Sequence, residues 1–291
     1  MDFTALSWNL FHGRDFPPEP SLRTTRSRLL RTTERGAAHA QVNRDLYTQF
    51  SSLLAATEWD VALLQECPPR WAERLALDCG AEPHLTPTSR NLPVPLPALQ
   101  HLAARLNPDL IASWEGGSNL TLVRTSAVGG PAIVERRRLI LTERPERRVM
   151  AFSRLRAGVC VANLHASAPR KLAEQELPRA AAAAIAWAAG TPLLLGGDLN
   201  IRPARSNLVF DALERDHGLR PRTPGDAIDH LLVRGLEVLE PPERWEPERR
   251  EVPDPTARPG SEALPIRLSD HAPVHARFSL DEPGDAQAAD H

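Results

Sequence analysis

The sequence predicts an α/β protein, and three observations lead there. Apolar runs of strand length recur along the chain and close on polar residues, helical patterns alternate with several of them, and 42% hydrophobic against 25% charged residues is an ordinary globular balance. The 291 residues suffice for one large domain or two smaller ones with a sizeable core. The clearest run is residues 193–203, LLLGGDLNIRP, where apolar residues enter two glycines, then a carboxylate, a carboxamide two positions on, and a proline. Such a run bounded by turn residues fits a strand covered on both faces. Asp198 and Asn200 are expected on one side of it, because strand side chains alternate. Gly196 and Gly197 would let another backbone or a phosphate approach. Asp and Asn are equally ordinary turn residues, so this stretch alone fits either a site or a turn.

Residues 3–8 open as a strand, and Asn9 sits where its apolar pattern stops, the position at which α/β sites form. Residues 14–43 are an arginine-rich insertion in which Arg28, Arg31 and Arg35 have the spacing of one helical face; a solvated face is the commoner meaning of such a run. Residues 44–57 read as a helix and 58–66 as a buried strand ending in Glu66, a carboxylate that is costly there unless paired, solvated or bound to a cation. A short helix at 70–78, a proline-rich loop at 86–97 and a helix near 97–106 follow. Strands are expected at 110–113, 119–124, 132–141, 149–155 and 159–163, a β meander, with His165 closing the last. Residues 169–189 form a helix whose alanines suit close packing on a sheet. Residues 207–219 read as a short helix, and Asp229 opens a strand. Residues 240–265, rich in Pro, Glu and Arg, read as a surface excursion with mobile parts. Asp270 and His271 precede a final strand to 280. One domain over 1–280 is expected, with 281–291 a disordered polar tail.

The formal net charge of −2 argues against a tight, purely electrostatic grip on nucleic acid, while leaving room for a local basic surface. Lys171 is the only lysine, so cationic contacts fall to arginine, which binds phosphate bidentately; compositional bias accounts for the excess at least as well. Cys67, Cys79 and Cys160 lack paired spacing, which speaks against a zinc cage or a disulfide framework. No positively charged leader precedes an apolar segment and no run reaches transmembrane length, so a cytoplasmic monomer without membrane insertion is expected. No G-x-S-x-G elbow supports a serine hydrolase.

The polar residues at or beside strand ends are Asn9, Glu66, His165, Asp198, Asn200, Asp229, Asp270 and His271. Carboxylates and carboxamides without cysteine are hard ligands suited to Mg2+ or Mn2+. A cation held there would neutralise phosphate charge, and a histidine oriented by a carboxylate would handle a proton.

In order along the chain, SWNLFHGR, DVALLQE, VANLHAS, GGDLNIRP, AIDHLLV and LSDHAPV resemble the blocks of the endonuclease/exonuclease/phosphatase superfamily, from near Trp8 to about Phe278. The resemblance implies a four-layer α/β sandwich, two mixed sheets face to face with helices outside and the site at one edge. It implies a metal-dependent phosphoester hydrolase, with nucleic acid the favoured substrate and a small phosphorylated metabolite or lipid head group the alternative. A catalytically silent binding protein on the same scaffold is the reading from another class. Carried over, Glu66 is the main metal ligand with Asn9 and Asp270 close to the cation. Asp198 and Asn200 serve the attacking water and hold the phosphate; His271 with Asp229, and His165 from the opposite side, contact phosphoryl oxygens. Asn119 and Arg148 resemble substrate contacts more loosely. Phe11 stands where AP endonucleases carry an aspartate, and Tyr47 is not placed as their active-site tyrosine, which weakens an abasic-site reading. The arginine-rich signature of inositol 5-phosphatases is not seen in its usual form either.

Overall fold

Two mixed β-sheets, each built around one parallel pair of strands, organise the computed structural model, which describes residues 1–88, 97–125, 132–144, 146–260 and 262–280. The six-stranded sheet runs Glu237–Arg244, Val274–Ser279, Asp2–Asn9, Val61–Gln65, Ser118–Arg124, Ala81–Pro87. The five-stranded sheet runs Asp229–Arg234, Leu193–Asp198, Cys160–His165, Arg148–Leu155, Ile133–Thr142. Asp2–Asn9 lies parallel to Val61–Gln65, and Cys160–His165 parallel to Leu193–Asp198; every other pairing in the two sheets is antiparallel. In register, Asn9 faces Gln65 and Asp198 faces His165. Both parallel pairs therefore end on chemistry-bearing residues.

These four strands are apolar because both of their faces are covered. Phe3, Ala5, Val61 and Leu63 meet Val161, Leu194, Leu231 and Val233 between the sheets. One residue out of phase, Leu6, Trp8, Ala62 and Leu64 pack outward on Phe50, Leu54 and Leu75 of helices Tyr47–Ala56 and Ala72–Asp78. On the other side Ala162, Leu164, Leu193 and Leu195 pack on helices Arg170–Ala188 and Asn207–His217. The result is the four-layer sandwich expected. The alanine-rich helix buries Ala173, Ala180, Ala181, Ala184 and Ala188, small side chains that seat it close to its sheet. Gly197 has its role in backbone approach: at φ +133°, a Cβ there would lie 1.9 Å from the carbonyl oxygen of Leu164. Among the described residues no helix is long and apolar enough to cross a membrane.

Several expectations change. Residues 110–113 are not a strand; Pro108 starts a helix, Pro108–Ile111, that runs on as the 3-10 turn Ala112–Glu115, since a four-residue apolar run does not separate strand from helix. Ser118–Arg124 belongs to the six-stranded sheet, so only the three strands after it form a meander. Its edge partner Ala81–Pro87 went unanticipated, because Pro83 and Pro87 argue against a strand anywhere except at an edge. The surface excursion is more ordered than expected: Glu237–Arg244 is an edge strand and Glu251–Pro253 pairs with Pro265–Arg267. The tail 281–291 and residues 89–96 of the proline-rich loop lie outside the described residues.

Within the insertion the helix is only Thr25–Leu30, capped by the Thr24 side chain and ended by Arg31 in the left-handed region. Arg35 sits in the hairpin Glu34–Arg35/Ala40–Gln41 and bonds Asp254 Oδ2 at 2.7 Å, so Arg28, Arg31 and Arg35 share no helical face. His39 bridges two carboxylates, with Nδ1 3.0 Å from Glu19 Oε1 and Nε2 3.0 Å from Glu251 Oε1. Burial alone would lower the His39 pKa, but Glu19 and Glu251 together raise it. The clamp is thus complete below the ordinary histidine value and is lost as pH rises through the raised one.

Two outcomes follow. Gly197→Ala should cost about 3 kcal/mol or more in denaturant unfolding, because neither its φ nor the Leu164 carbonyl can give way. Amide exchange over residues 18–42 should quicken as pH rises from about 6 to 8.5, after correction for intrinsic exchange, and His39→Gln should flatten that dependence.

Candidate functional site

The site grows from the ends of the two parallel pairs. Asn9, buried, donates through Nδ2 to Asp198 Oδ2 at 3.0 Å, joining the two sheets, while its Oδ1 accepts the Phe11 amide at 2.9 Å. Ser269 Oγ donates to the Asn9 carbonyl at 2.6 Å and accepts the His271 amide at 3.0 Å. This one hydroxyl fixes the turn carrying Asp270 and His271 beside the first strand. Below the rim Gln65 Nε2 donates to Asn163 Oδ1 at 2.9 Å, a second polar link between sheets. Of seven non-glycine residues with positive φ among those described, Phe11, His12, Glu66, Asn200 and Ser269 lie in these loops; Arg31 and Ala189 are helix caps. Conformations of this kind cost about 1–3 kcal/mol each for most side chains and gather where the surroundings hold them for function.

Two histidines flank Asp198. His271 Nδ1 is 2.8 Å from Asp229 Oδ2, and its Nε2 lies 3.8 Å from Asp198 Oδ2 and 3.9 Å from Asp270 Oδ1. His165 Nε2 lies 3.4 Å from Asp198 Oδ2 and 3.9 Å from Glu66 Oε1. The other Glu66 oxygen, Oε2, is 3.2 Å from His12 Nε2. Ligand-capable atoms of Asp198, Asp229 and His271 all lie within 4.8 Å of one another.

The protonation states diverge. Burial, with Arg148 nearby, pushes His165 down to about 3, so it is neutral at physiological pH. His271 is raised well above its ordinary value: burial opposes the charge, but Asp229 and Asp198 outweigh it. Burial raises Asp198, with His271 opposing and Asp229 reinforcing. Burial would raise Glu66 too, yet His12, His165 and His271 hold it below the usual range. Asp270 is raised by burial, with Glu66 adding to the effect.

All eight residues expected at strand ends therefore gather at one rim, but Asn200 arrives by another route. The strand stops at Asp198; Asn200, at φ +53°, gives its amide to Asp198 Oδ1 at 3.1 Å and its Nδ2 to the Ala166 carbonyl at 3.0 Å. It orients Asp198 through a turn rather than by strand alternation. Asn119 is buried, donating to the Val149 carbonyl at 2.8 Å with Oδ1 unpartnered. Arg148, also buried, bonds Glu146 at 2.7 Å and is near enough to depress His165. Sequence reasoning missed His12, Gln65, Asn163 and Ser269. Gln65 and Asn163 carried a signal, a carboxamide inside an apolar run; His12, in a loop, carried none.

A hard divalent cation suits this donor set. Among the described residues neither Glu66 nor Asp270 has an arginine within 4.0 Å, Asp229 Oδ1 is buried without a partner, and no thiol is present.

Comparison with known proteins agrees with this fold. No curated protein matches the sequence. An endonuclease/exonuclease/phosphatase family protein from Bacteroides thetaiotaomicron superposes with a TM-score of 0.62 at 16% identity, covering 97% of this chain and 99% of the other. A mannosyl-6-phosphatase from the same organism gives 0.61 at 15%, covering 95% and 99%. TDP2 from C. elegans gives 0.54 at 16%, covering 96% and 75%. At such identities these structures share the fold. The sequence itself matches the model of the Endonuclease/Exonuclease/phosphatase family over residues 6–271, and the chain belongs to that family.

Proposed function

We propose that the chain is a divalent-metal-dependent phosphoester hydrolase working by in-line attack of an activated water, with a phosphodiester of nucleic acid as the favoured substrate. The observation that carries this is the gathering, around the Asn9–Asp198 hydrogen bond, of four carboxylates and two histidines of opposite protonation preference. Asp198, its affinity for a proton raised by burial, is placed to take the proton of the attacking water. Asn9 and Asn200 orient it through hydrogen bonds to its two oxygens. His271, kept cationic by Asp229, donates from Nε2 to a phosphoryl oxygen, and neutral His165 does so across from it. Arg148, near enough to act on His165, and Asn119, whose Nδ2 reaches the Asn163 carbonyl at 3.4 Å, are the proposed substrate contacts.

Glu66, Asn9 and Asp270 would hold the cation, Mg2+ or Mn2+. When bound it supplies charge neutralisation at the phosphoryl group and the leaving oxygen. A small phosphorylated metabolite or lipid head group is the alternative substrate, since the chemistry at phosphorus is the same. The silent-scaffold reading loses ground because each position carries a competent side chain.

Asp198→Asn should lower kcat by about 10²- to 10⁴-fold, with Tm kept or raised because a buried charge is removed. Full turnover of a p-nitrophenyl phosphodiester in excess EDTA would refute the metal requirement. Magnesium should raise the Tm of the unaltered chain, and Glu66→Gln should abolish most of that gain, a readout independent of turnover.

A further inference from the structure

A cleft of about 340 Å³ beside the site has chemistry the reaction above does not use. Its walls hang from the site: Phe11 gives its amide to Asn9 Oδ1, and Ser269 gives its own to the Arg14 carbonyl at 2.9 Å. Asp15 bridges Leu268, and Phe16 donates to the Arg267 carbonyl at 2.7 Å. A group in the cleft is therefore a neighbour of both Asn9 and the turn that carries Asp270.

Three guanidiniums line it. Arg14 stacks on the Phe11 ring at 3.7 Å and Arg23 on the Phe16 ring at 4.4 Å, while Arg28 donates to the Asp109 carbonyl at 3.2 Å. Among the described residues none of the three has a carboxylate oxygen within 4.0 Å. Stacking fixes the plane of a guanidinium; Arg14 gives its Nε–H to the Phe11 carbonyl at 3.2 Å, and its terminal N–H groups are left for an anion. Deeper in, Asp15 Oδ1 is buried without a partner, on a residue 4% exposed, while Gln41 spends Nε2 on Asp109 Oδ2 at 2.8 Å. The cleft holds two acids, and burial raises both: Asp15, with Asp109 reinforcing, and Asp109, with Arg14 opposing, so the pair shifts toward the neutral form that repels an anion less.

We propose that this cleft is a subsite for a second phosphate, so that the preferred substrate carries one phosphate at Asp198 and His271 and another among Arg14, Arg23 and Arg28. The proposal rests on the phosphoester reading of the neighbouring site. The second phosphate comes either from a doubly phosphorylated small molecule or from the next phosphate of a nucleic-acid strand.

The test is calorimetric titration of the full chain with magnesium, carrying Asp198→Asn so that nothing turns over. Thymidine 3′,5′-bisphosphate should bind about tenfold or more tightly than thymidine 5′-monophosphate. The gap should close when Arg23→Ala and Arg28→Ala are added, both side chains being exposed and an unchanged Tm certifying the fold. Equal affinities, no binding of either nucleotide, or a gap that survives the two substitutions overturns the subsite. Turnover of a p-nitrophenyl phosphodiester by the unaltered chain is scored apart. Its absence beside an intact gap sinks the hydrolase reading and leaves the subsite standing, whereas turnover without a gap does the reverse. A short oligothymidylate separates the sources: tighter binding than the bisphosphate, falling steeply with salt, supports a strand, and binding no tighter than the bisphosphate supports the small molecule.

Discussion

One hydrogen bond, from Asn9 to Asp198, carries the arrangement of everything around it. It joins residues 189 positions apart, closes the gap between the sheets at their rim, and supplies a buried carboxylate with a neutral donor. Such a carboxylate is expensive without partners, so the two strand ends must meet. Once they do, Ser269 places the Asp270–His271 turn from the carbonyl of the same asparagine. The parallel pairing then leaves Glu66 and His165 no alternative but to stand next to them. Backbone topology and side-chain chemistry are here the same constraint.

The electrostatics follow from which charges stand nearest each histidine. Opposite charges about 4 Å apart attract by about 4 kcal/mol at the effective dielectric of protein, a size that can exceed the cost of burying an imidazolium. His271, with Asp229 at 2.8 Å and Asp198 at 3.8 Å, lies on the charged side of that balance. His165 is also near Asp198, yet it is more deeply buried than His271 and feels the charge of Arg148, and it falls on the neutral side. Two chemically identical side chains on either side of one carboxylate thus offer a cation and a neutral donor.

What the sequence made legible was whatever local pattern dictates. The buried runs 61–65 and 193–198 are apolar because both faces are covered, and their terminal polar residues announced the rim. The convergence of Asn9, Glu66, His165, Asp198, Asp229, Asp270 and His271 was read through a family resemblance, since no spacing along a chain encodes which sheet edges meet. Misreadings fall where local pattern is weak or ambiguous. The segment 110–113 is too short to declare its period; Ala81–Pro87 hides behind its prolines; and Arg28, Arg31 and Arg35 have a helical spacing that the helix, ended at Leu30, never reaches. The cleft under the insertion was invisible for another reason: its walls come from residues 11–28, 41 and 109, and tertiary contact alone brings them together.

The position of the last strand has a bearing on biosynthesis. Val274–Ser279 lies between Asp2–Asn9 and Glu237–Arg244, so the edge strand Glu237–Arg244 has nothing in the sheet to pair with until that segment has left the ribosome. Asp270 and His271 emerge just ahead of it. A nascent polypeptide therefore holds Asn9 and Glu66 early and gains Asp270 and His271 late. Docking of this interior strand against Asp2–Asn9 is thus the step that carries the Asp270–His271 turn to the rim, and sheet pairing and assembly of the polar cluster become a single event.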